Sequence, residues 1–354
     1  MISRERNILL NEISTISIMH PTIETRYLNL VEELGLGRRE EVSTIIPLTG
    51  GVASDIVQVI VGDQRLCLKC ALGKLKVDED WRAPVHRNRA EYAWLEVAAQ
   101  MIPESTVALF GRSQQSPCFA MEFLEGDDTY LWKTSLLNGT LNVDEAISVG
   151  QAIGKIHARS ASSAFSTEPF RNRDDFYELR LDPYLKFTAS RHPAVAAHLE
   201  SLVERLYEAS SVLTHGDVSP KNIIFRDGSP IILDAECATM GDASFDIAFC
   251  MNHLVLKAVH LPAVRSELLN AALEVWGTYV HYVHWESPEQ LEAKVCELLP
   301  ALMLSRIDGK SPVEYLTEEN RQVVRKLSLK RLQTPCISLE RLMTSIAYQL
   351  ENDR

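Results

Sequence analysis

Apolar residues in the first third of the chain follow two different spacings. Within residues 22–36 they recur at steps of three and four, which predicts a helix that ends at Gly35 and Gly37. Three β-like runs follow, STIIPL, DIVQVIVG and RLCLKCAL, and the turn GDQR joins the last two. Helical spacing returns over 87–101, before a further strand pair in TVALFGRS and SPCFAMEFLEG. The pattern predicts a small sheet of about five strands with one inserted helix.

The rest of the chain has mainly helical spacing. Residues 125–142 are polar and rich in Gly, Asp and Asn, so we place the domain boundary there, between an N-terminal lobe over 1–124 and a C-terminal lobe over 125–354. One β-like insert, 222–234, interrupts the helical pattern. The predicted helices cover 143–161, 174–187, 193–210, 243–260, 263–285, 288–304 and 317–350. Together the two halves predict an α+β fold.

Length, charge and composition exclude some classes of protein. A chain of 354 residues fits about two domains. No apolar run approaches the ~20 residues of a membrane helix, and MISRERNILLNEIS has no long apolar core of a signal peptide, so we expect a cytoplasmic protein. The net charge of −12 argues against nucleic acid as a partner, because phosphate backbones are bound by clustered Lys and Arg.

The seven cysteines are scattered without a dense framework, which favours reduced thiols in a reducing compartment. Cys67 and Cys70 form a C-x-x-C, but they lie in the predicted strand RLCLKCAL. Positions three apart in a strand point to opposite faces, so the spacing argues against a zinc or redox site.

Candidate chemistry is concentrated in residues 213–236, LTHGDVSPKNIIFRDGSPIILDAE. Asp217 lies on a predicted loop, where a carboxylate can accept the proton of an attacking hydroxyl. Asn222 and Asp234 offer oxygen ligands suited to Mg²⁺. A hairpin that turns at RDGSP would bring both ligands to one end of two adjacent strands. This spacing therefore indicates phosphoryl transfer with magnesium.

The pattern HGDxxxxN, followed by a strand that ends in LDxE, resembles the aminoglycoside phosphotransferase and small-molecule kinase family. That family includes choline, methylthioribose and homoserine kinase relatives and shares the protein-kinase fold. The resemblance implies a two-lobed fold, ATP and Mg²⁺ as cofactors, and a small-molecule hydroxyl as phosphate acceptor. It covers about residues 40–255.

The resemblance also implies roles for individual residues of the C-terminal lobe. Asp217 matches the catalytic base, Asn222 and Asp234 match the magnesium ligands, and His215 matches a histidine that buttresses the loop. Lys221 either neutralises developing charge or is simply solvated or structural. The segment GDASFDIA resembles a further family segment; in it Asp246 supports the catalytic loop and Asp242 caps a helix. The role of Glu236 stays open.

In the N-terminal lobe, the resemblance implies a nucleotide site. Lys69 matches the third-strand lysine that pairs with the α- and β-phosphates, and Glu91 is its expected ion-pair partner, with Glu79 and Glu96 as rivals. The expected phosphate-covering loop includes Gly50, Gly51 and Ser54. The segment between the lobes, where the backbone receives adenine, includes Glu122, Phe123 and Leu124.

The acceptor stays open between aminoglycosides, methylthioribose, choline-like amines, homoserine and other sugars. The segment RIDGKSP fits a helix break, but it also places Arg306, Asp308 and Lys310 where this family builds its acceptor pocket. Arg and Lys there suit a carboxylate or phosphate, whereas Asp suits an amine. Two other functions stay open, a catalytically silent nucleotide-binding scaffold and, less favoured by the short segment after Asp234, a protein kinase.

Overall fold

The strands of the N-terminal half form one five-stranded sheet in the order β1-β2-β3-β5-β4, in which every neighbouring pair is antiparallel. The computed structural model describes residues 21–48, 53–76 and 82–352. The strands are β1 (Val42–Pro47), β2 (Ser54–Val61), β3 (Gln64–Ala71), β4 (Leu109–Arg112) and β5 (Cys118–Glu122). The prediction of about five strands with one inserted helix is confirmed.

Each face of this sheet is covered by one helix, because alternate residues of a strand point to opposite faces. The two helices are α1 (Pro21–Glu33) and α2 (Arg87–Met101). Leu68 of β3 lies in the same buried cluster as Tyr27 of α1, whereas Cys67 lies in the cluster that holds Trp94 of α2. Fully burying an apolar side chain of this size contributes about 1.5–3 kcal/mol, so both helices are firmly held.

The expectation that all cysteines are reduced is wrong for one pair. Cys70 and Cys118 lie directly opposite each other on β3 and β5, and they form a disulfide. Their pairing depends on the register of two strands that are 48 residues apart in the chain, which spacing within one strand does not reveal. Cys67 points to the other face, as predicted, and is a free thiol.

The C-terminal half is mainly helical, with two small antiparallel sheets. The strands β6 (Thr129–Leu131), β8 (Ile223–Arg226) and β9 (Ser229–Ile232) form one sheet, and β7 (Val212–Thr214) pairs with β10 (Thr239–Gly241) in the other. The helices are α3 (Trp132–Leu137), α4 (Val143–Ser160), α5 (Arg173–Phe176), α6 (Phe187–Arg191), α7 (Ala196–Glu208), α8 (Ser244–His260), α9 (Arg265–Tyr279), α10 (Pro288–Asp308), α11 (Glu318–Gln333) and α12 (Leu339–Asn352).

Two predicted helices differ in detail from the observed ones. The segment predicted over 317–350 is divided into α11 and α12, and Pro335 lies in the break, where its ring cannot continue a helix. Between α5 and α6 the chain is π-helical over Tyr177–Lys186 and contains Pro183. A π-helix widens the turn, and such segments occur frequently at functional sites.

Helix α8 is the centre of the C-terminal half. Nearly all of its residues are buried on every side, as expected for a core helix that is not amphipathic. Within 21–48, 53–76 and 82–352, no single helix is long and apolar enough to span a membrane; α8 passes that test only together with the following segment, across a bend of 118°.

Candidate active site

A β-hairpin carries the central residues of the candidate site. Strands β8 and β9 are joined by Asp227 and Gly228, whose φ angles are 52° and 78°. Two positive φ values define the type I′ turn that matches the twist of a two-residue hairpin, and Asp-Gly is a preferred sequence for it. The predicted hairpin is confirmed. It places Asn222 and Asp234 at the same end, where Leu233 N donates to Asn222 O at 2.8 Å.

Asp217 lies just before this hairpin, and its carboxylate is held by three side chains. Arg180 donates from Nη2 to Oδ2 at 2.9 Å, Ser219 Oγ donates to Oδ1 at 3.1 Å, and Lys221 Nζ lies 3.0 Å from Oδ2. Burial alone would raise the pKa of Asp217, but Lys221 and Arg180 outweigh it and hold the pKa below the ordinary value. The carboxylate is therefore ionised at neutral pH.

The loop around Asp217 is shaped by Asp246 and His215. Asp246, in the first turn of α8, accepts hydrogen bonds from the backbone N–H groups of His215 at 2.7 Å and Gly216 at 2.8 Å. His215 Nδ1 accepts from Asp217 N at 3.1 Å, so its Nε2 carries the proton and donates to Leu233 O at 3.1 Å. Burial lowers the pKa of His215, which keeps the ring neutral in this bridging role.

Gly216 is required by the same loop for two reasons. Its φ is +80°, in the left-handed region that side chains disfavour. A Cβ at this position would also come within 2.8 Å of Cys237 Cβ. Asp242 Oδ1 accepts from Ser244 N at 2.9 Å and so satisfies the first N–H group of α8, although the N-cap position itself is occupied by Ala243.

Lys69 joins the two halves of the site. Its Nζ lies 2.5 Å from Glu91 Oε1 of α2 and also contacts Asp234 Oδ1. Burial by itself would lower the pKa of Lys69, but the carboxylates of Asp234 and Glu91 raise it above the ordinary value. Of the rivals for this pairing, Glu96 is exposed and Glu79 lies outside the described residues. The expected Lys69–Glu91 ion pair is present.

Asp234 has an unusual backbone, with φ at +70°. A non-glycine residue in this region is uncommon and costs on the order of 1–3 kcal/mol, so the surrounding structure must hold it there. Burial would raise the pKa of Asp234, but Lys69 and Lys221 lower it, so it is a carboxylate. Asn222, on the neighbouring strand side of the hairpin, donates from its amide nitrogen to Asp217 O at 3.1 Å, which leaves its amide oxygen as an acceptor.

The donor set of Asn222 and Asp234 fits a hard cation such as Mg²⁺. One carboxylate and one amide oxygen are oxygen ligands, and Mg²⁺ is usually held by one or two carboxylates together with phosphate oxygens and water. Across the described ranges, no three His, Cys, Asp or Glu side chains cluster as metal ligands. A metal here would therefore depend on a phosphate-bearing ligand for the rest of its coordination.

A family model described as the phosphotransferase enzyme family matches residues 44–282, which is more than half of the chain. The chain belongs to the phosphotransferase enzyme family. The match spans both lobes, and so includes Lys69 and the hairpin with Asn222 and Asp234.

Curated relatives of this phosphotransferase-family chain include two methylthioribose kinases. The one from Erwinia tasmaniensis is 23% identical over 255 residues, which is 62% of this chain and 63% of that protein. The one from Bacillus velezensis is 22% identical over 296 residues, which is 75% of this chain and 74% of that protein. The chain thus spans about two thirds to three quarters of the length of these relatives.

Solved structures confirm the kinase-like α+β fold expected for this family member. A choline kinase from Streptococcus pneumoniae has a TM-score of 0.52 at 15% identity and covers 88% of this chain and 99% of its own. An aminoglycoside phosphotransferase from Alicyclobacillus acidocaldarius has a TM-score of 0.53 at 12% identity and covers 95% and 98%. An amicoumacin kinase in complex with AMP-PNP, Ca²⁺ and Ami has a TM-score of 0.53 at 14% identity and covers 92% and 100%.

The structure describes some, but not all, of the other residues that this phosphotransferase-family chain is expected to use for nucleotide binding. Ser54 is buried at the start of β2, whereas Gly50 and Gly51 lie outside the described residues. Glu122 is engaged by its neighbours: its amide donates to Ala108 O at 2.8 Å and its carboxylate lies 2.5 Å from Arg226 Nη1. Phe123 and Leu124 follow β5 and are half-buried.

Two arginines that the sequence pattern did not indicate also contact the site. Arg180, in the π-helical segment, also donates from Nε to Gly216 O at 2.6 Å, so it holds both the loop and Asp217. Arg87, the first residue of α2, donates to Glu236 at 2.7 Å and gives that residue a structural partner. Neither arginine lies in a recognisable pattern, and only their burial in the folded chain marks them.

The three candidate acceptor residues, two in the last turn of α10 and Lys310 just after it, are separated by the fold. Asp308 forms a two-pronged ion pair with Arg325 at 2.7 and 2.8 Å and contacts His192 at 2.8 Å. Lys310 pairs with Asp182 on the surface at 3.0 Å. Only Arg306 is directed into the interior, where it donates to Tyr184 Oη at 3.1 Å.

Proposed function

We propose that this protein transfers the γ-phosphate of ATP to a hydroxyl of a small molecule. The observation that carries the proposal is the ion pair between Lys69 and Asp234, which lies beside an ionised Asp217. Family membership and the two methylthioribose kinases among its relatives support the reaction class. They also make methylthioribose the first acceptor to test.

On the donor side, Lys69 is proposed to bind the α- and β-phosphates while Glu91 fixes its position. Because Glu122 already uses its amide and its carboxylate, the peptide groups of Phe123 and Leu124 are the proposed contacts for adenine. Ser54, Gly50 and Gly51 are proposed to cover the phosphates. The AMP-PNP complex of the structural neighbour is consistent with a nucleotide in this fold.

Asn222 and Asp234 are the residues proposed to hold Mg²⁺. The ion supplies charge neutralisation at the phosphate oxygens, which is a large part of catalysis in phosphoryl transfer. In this structure Lys69 and Asp234 contact each other. When a nucleotide binds, Lys69 would instead contact its phosphates, and Asp234 would instead contact the metal ion.

Asp217 is proposed to orient the acceptor hydroxyl and to take its proton. The acceptor oxygen forms a bond to the γ-phosphorus, the bond from that phosphorus to the bridging oxygen breaks, and its electron pair leaves on ADP. Because Arg180 and Lys221 lower the pKa of Asp217, the carboxylate is a weak base that receives the proton late. Proton transfer late in the reaction suits the loose transition state of phosphoryl transfer. Lys221 is placed to neutralise charge.

A small acceptor is favoured over a protein by the short connection after Asp234. Only nine residues separate Asp234 from the first residue of α8, Ser244, and three of those nine form β10. A long peptide-docking loop therefore has no room in this connection.

The test is ADP release with Mg²⁺ over a panel of thiosugars, amino sugars, amino alcohols and hydroxy amino acids. We expect at least one acceptor to stimulate ADP release in the wild type, and the stimulation to be lost in Asp217→Asn. ADP binding without turnover on the whole panel would favour a silent scaffold, and phosphate appearing only on proteins would favour a protein kinase.

A further inference from the structure

Three basic side chains lie together in the core of the C-terminal half. His253 and Lys257 are on α8, one turn apart on the same face, and Arg306 is on α10, which packs against α8. We call these three residues the basic cluster. Each is at most 7% exposed.

The cations of the basic cluster have no carboxylate partner among the residues that the structure describes. Lys257 Nζ lies 3.5 Å from His253 O and 5.1 Å from the centre of the Tyr315 ring. Arg306 Nη1 donates to Tyr184 Oη and to the backbone and hydroxyl oxygens of Ser311. A buried cation without an opposite charge is costly, so two of them together indicate a site that an anion completes.

Several polar atoms at the same place are buried without a hydrogen-bond partner in the described part of the chain. They are His253 Nε2, Arg306 Nε and Tyr315 Oη. Arg306 Nε and Tyr315 Oη are donors. Buried polar groups are almost always satisfied, so this concentration of unfilled atoms points to a missing polar ligand. The neighbouring carboxylate of Glu314 does not supply it, because it is engaged by Lys133.

The basic cluster adjoins the catalytic carboxylate through Tyr184. The Tyr184 ring has Arg306 Cζ 5.4 Å from its centre and Arg180 Cζ 5.9 Å from it, and Arg180 holds Asp217. Burial lowers the pKa of His253 far below its usual range, and the charges of Arg306, Lys257 and Lys221 lower it further. Lys221 itself contacts Asp217. The cluster and the candidate base are therefore linked through one aromatic ring and the two arginines that contact it.

We propose that the basic cluster binds an anionic group of the acceptor, a carboxylate or a phosphate, on the same molecule whose hydroxyl Asp217 orients. This assignment rests on the proposed phosphotransferase function and favours hydroxy acids or sugar phosphates over neutral acceptors such as methylthioribose. An amino sugar or a choline-like amine would bring a cation to buried cations, which is unfavourable.

The test compares matched compounds on three-, four-, five- and six-carbon hydroxylated scaffolds, each in neutral, amino, carboxylate and phosphate forms. Binding to the protein with ADP and Mg²⁺ is measured by calorimetry. A charge-assisted hydrogen bond contributes about 1.5–3 kcal/mol, so we expect the anionic form of the best scaffold to bind at least ~10-fold tighter than its neutral form. Comparing the carboxylate form of each scaffold with its phosphate form shows which of the two anions the basic cluster binds.

The variants assign that preference to the cluster. Lys257→Met removes a cation with no carboxylate partner and is expected to abolish the anion preference, while Arg306→Lys retains the charge and is expected to retain part of it. Lys310→Met is the matched control, since Lys310 pairs with Asp182 on the surface, and it should keep the full preference. ADP affinity and thermal unfolding confirm that each variant is folded.

The outcomes separate this inference from the proposed function. A Lys257-dependent anion preference without phosphorylation of any compound would support the subsite and refute the transferase. Equal phosphorylation of a neutral or amino acceptor by wild type and Lys257→Met would support the transferase and overturn the subsite. A panel in which no scaffold shows a Lys257-dependent preference for its anionic form would also overturn it.

Discussion

Arg87 and Glu236 form a buried ion pair where the two lobes meet, with 2.7 Å between Nε and Oε2. The other four N–H groups of Arg87 donate to backbone carbonyls of Ala53, Leu72, Ala83 and Pro84. All five donors of the guanidinium are therefore used. One side chain thus fixes the start of β2, the end of β3 and the segment after Asp234 relative to one another.

Replacing Arg87 by Met should lower the free energy of unfolding by about 3–5 kcal/mol, because the Glu236 carboxylate would stay buried without a partner. Urea unfolding measures the loss. Arg89→Met is the matched control, since Arg89 is exposed on the same helix, and it should change stability by no more than about 0.5 kcal/mol. Similar small effects for both variants would contradict a holding role for Arg87.

Asp217→Asn should reduce kcat by about 10²–10⁴-fold, because the amide neither accepts the proton nor balances Arg180 and Lys221. ADP binding should be unchanged, since the donor residues are intact. Asp227→Asn makes the same change at the exposed tip of the hairpin and should leave kcat unchanged. Full activity of Asp217→Asn with the identified acceptor would refute the assigned role.

Arg180→Met should move the acidic limb of the kcat/KM profile to higher pH. Arg180 helps to lower the pKa of Asp217, so its removal raises that pKa and the carboxylate becomes protonated, and inactive as a base, at a higher pH. A shift of about one pH unit corresponds to ~1.4 kcal/mol of interaction. Arg180→Lys should restore part of the shift. A uniform loss of activity at every pH would instead indicate a purely structural residue.

Lys257→Met should stabilise the protein, and more at pH 6 than at pH 9. Burial and the charge of Lys133 together lower the pKa of Lys257 to about 7, although the Glu314 carboxylate opposes them. Arg306, Cys250, His253 and Tyr315 also face this amine. The unfolded chain keeps the ordinary, higher pKa. The stability cost of Lys257 is therefore complete below pH 7 and declines as the pH rises towards the unfolded value. Thermal and urea unfolding should show a gain of about 1–4 kcal/mol at pH 6. An equal gain at both pH values would contradict a lowered pKa.

Gly216→Ala, in the loop around Asp217, should destabilise the protein far more than Gly228→Ala. Both glycines have nearly the same φ, +80° and +78°, so both variants carry similar backbone strain of about 1 kcal/mol. Only at Gly216 would the added methyl meet Cys237, at 2.8 Å, whereas Gly228 has nothing within 4 Å. Overpacking adds about 1–3 kcal/mol, measurable by urea unfolding. Equal losses of stability in the two variants would show that the loop around Gly216 shifts to accommodate the added methyl group.

The features predicted from sequence are those that depend on short stretches of chain. The Asp227–Gly228 turn and the strands on either side of it follow from local turn chemistry and spacing. The Lys69–Glu91 pair was expected from the resemblance to a known family, and local spacing left Glu79 and Glu96 as rivals. Arg180 and Arg87 were not predicted, because their partners lie 37 and 149 residues away. Asp308 and Lys310 are instead paired with Arg325 and Asp182, because these contacts depend on how the helices pack, which the spacing within RIDGKSP does not show.

The disulfide between Cys70 and Cys118 has a consequence for how the two lobes respond to reductant. It closes a covalent loop that contains the whole of α2, with Glu91 and Arg87, and Cys70 is the residue after Lys69. A cross-link over 48 residues stabilises by about 4 kcal/mol through the entropy of the unfolded chain. Every other cysteine in the described chain is a free thiol. Reductant therefore acts as a selective probe, which destabilises the N-terminal lobe while the helical lobe keeps its full stability.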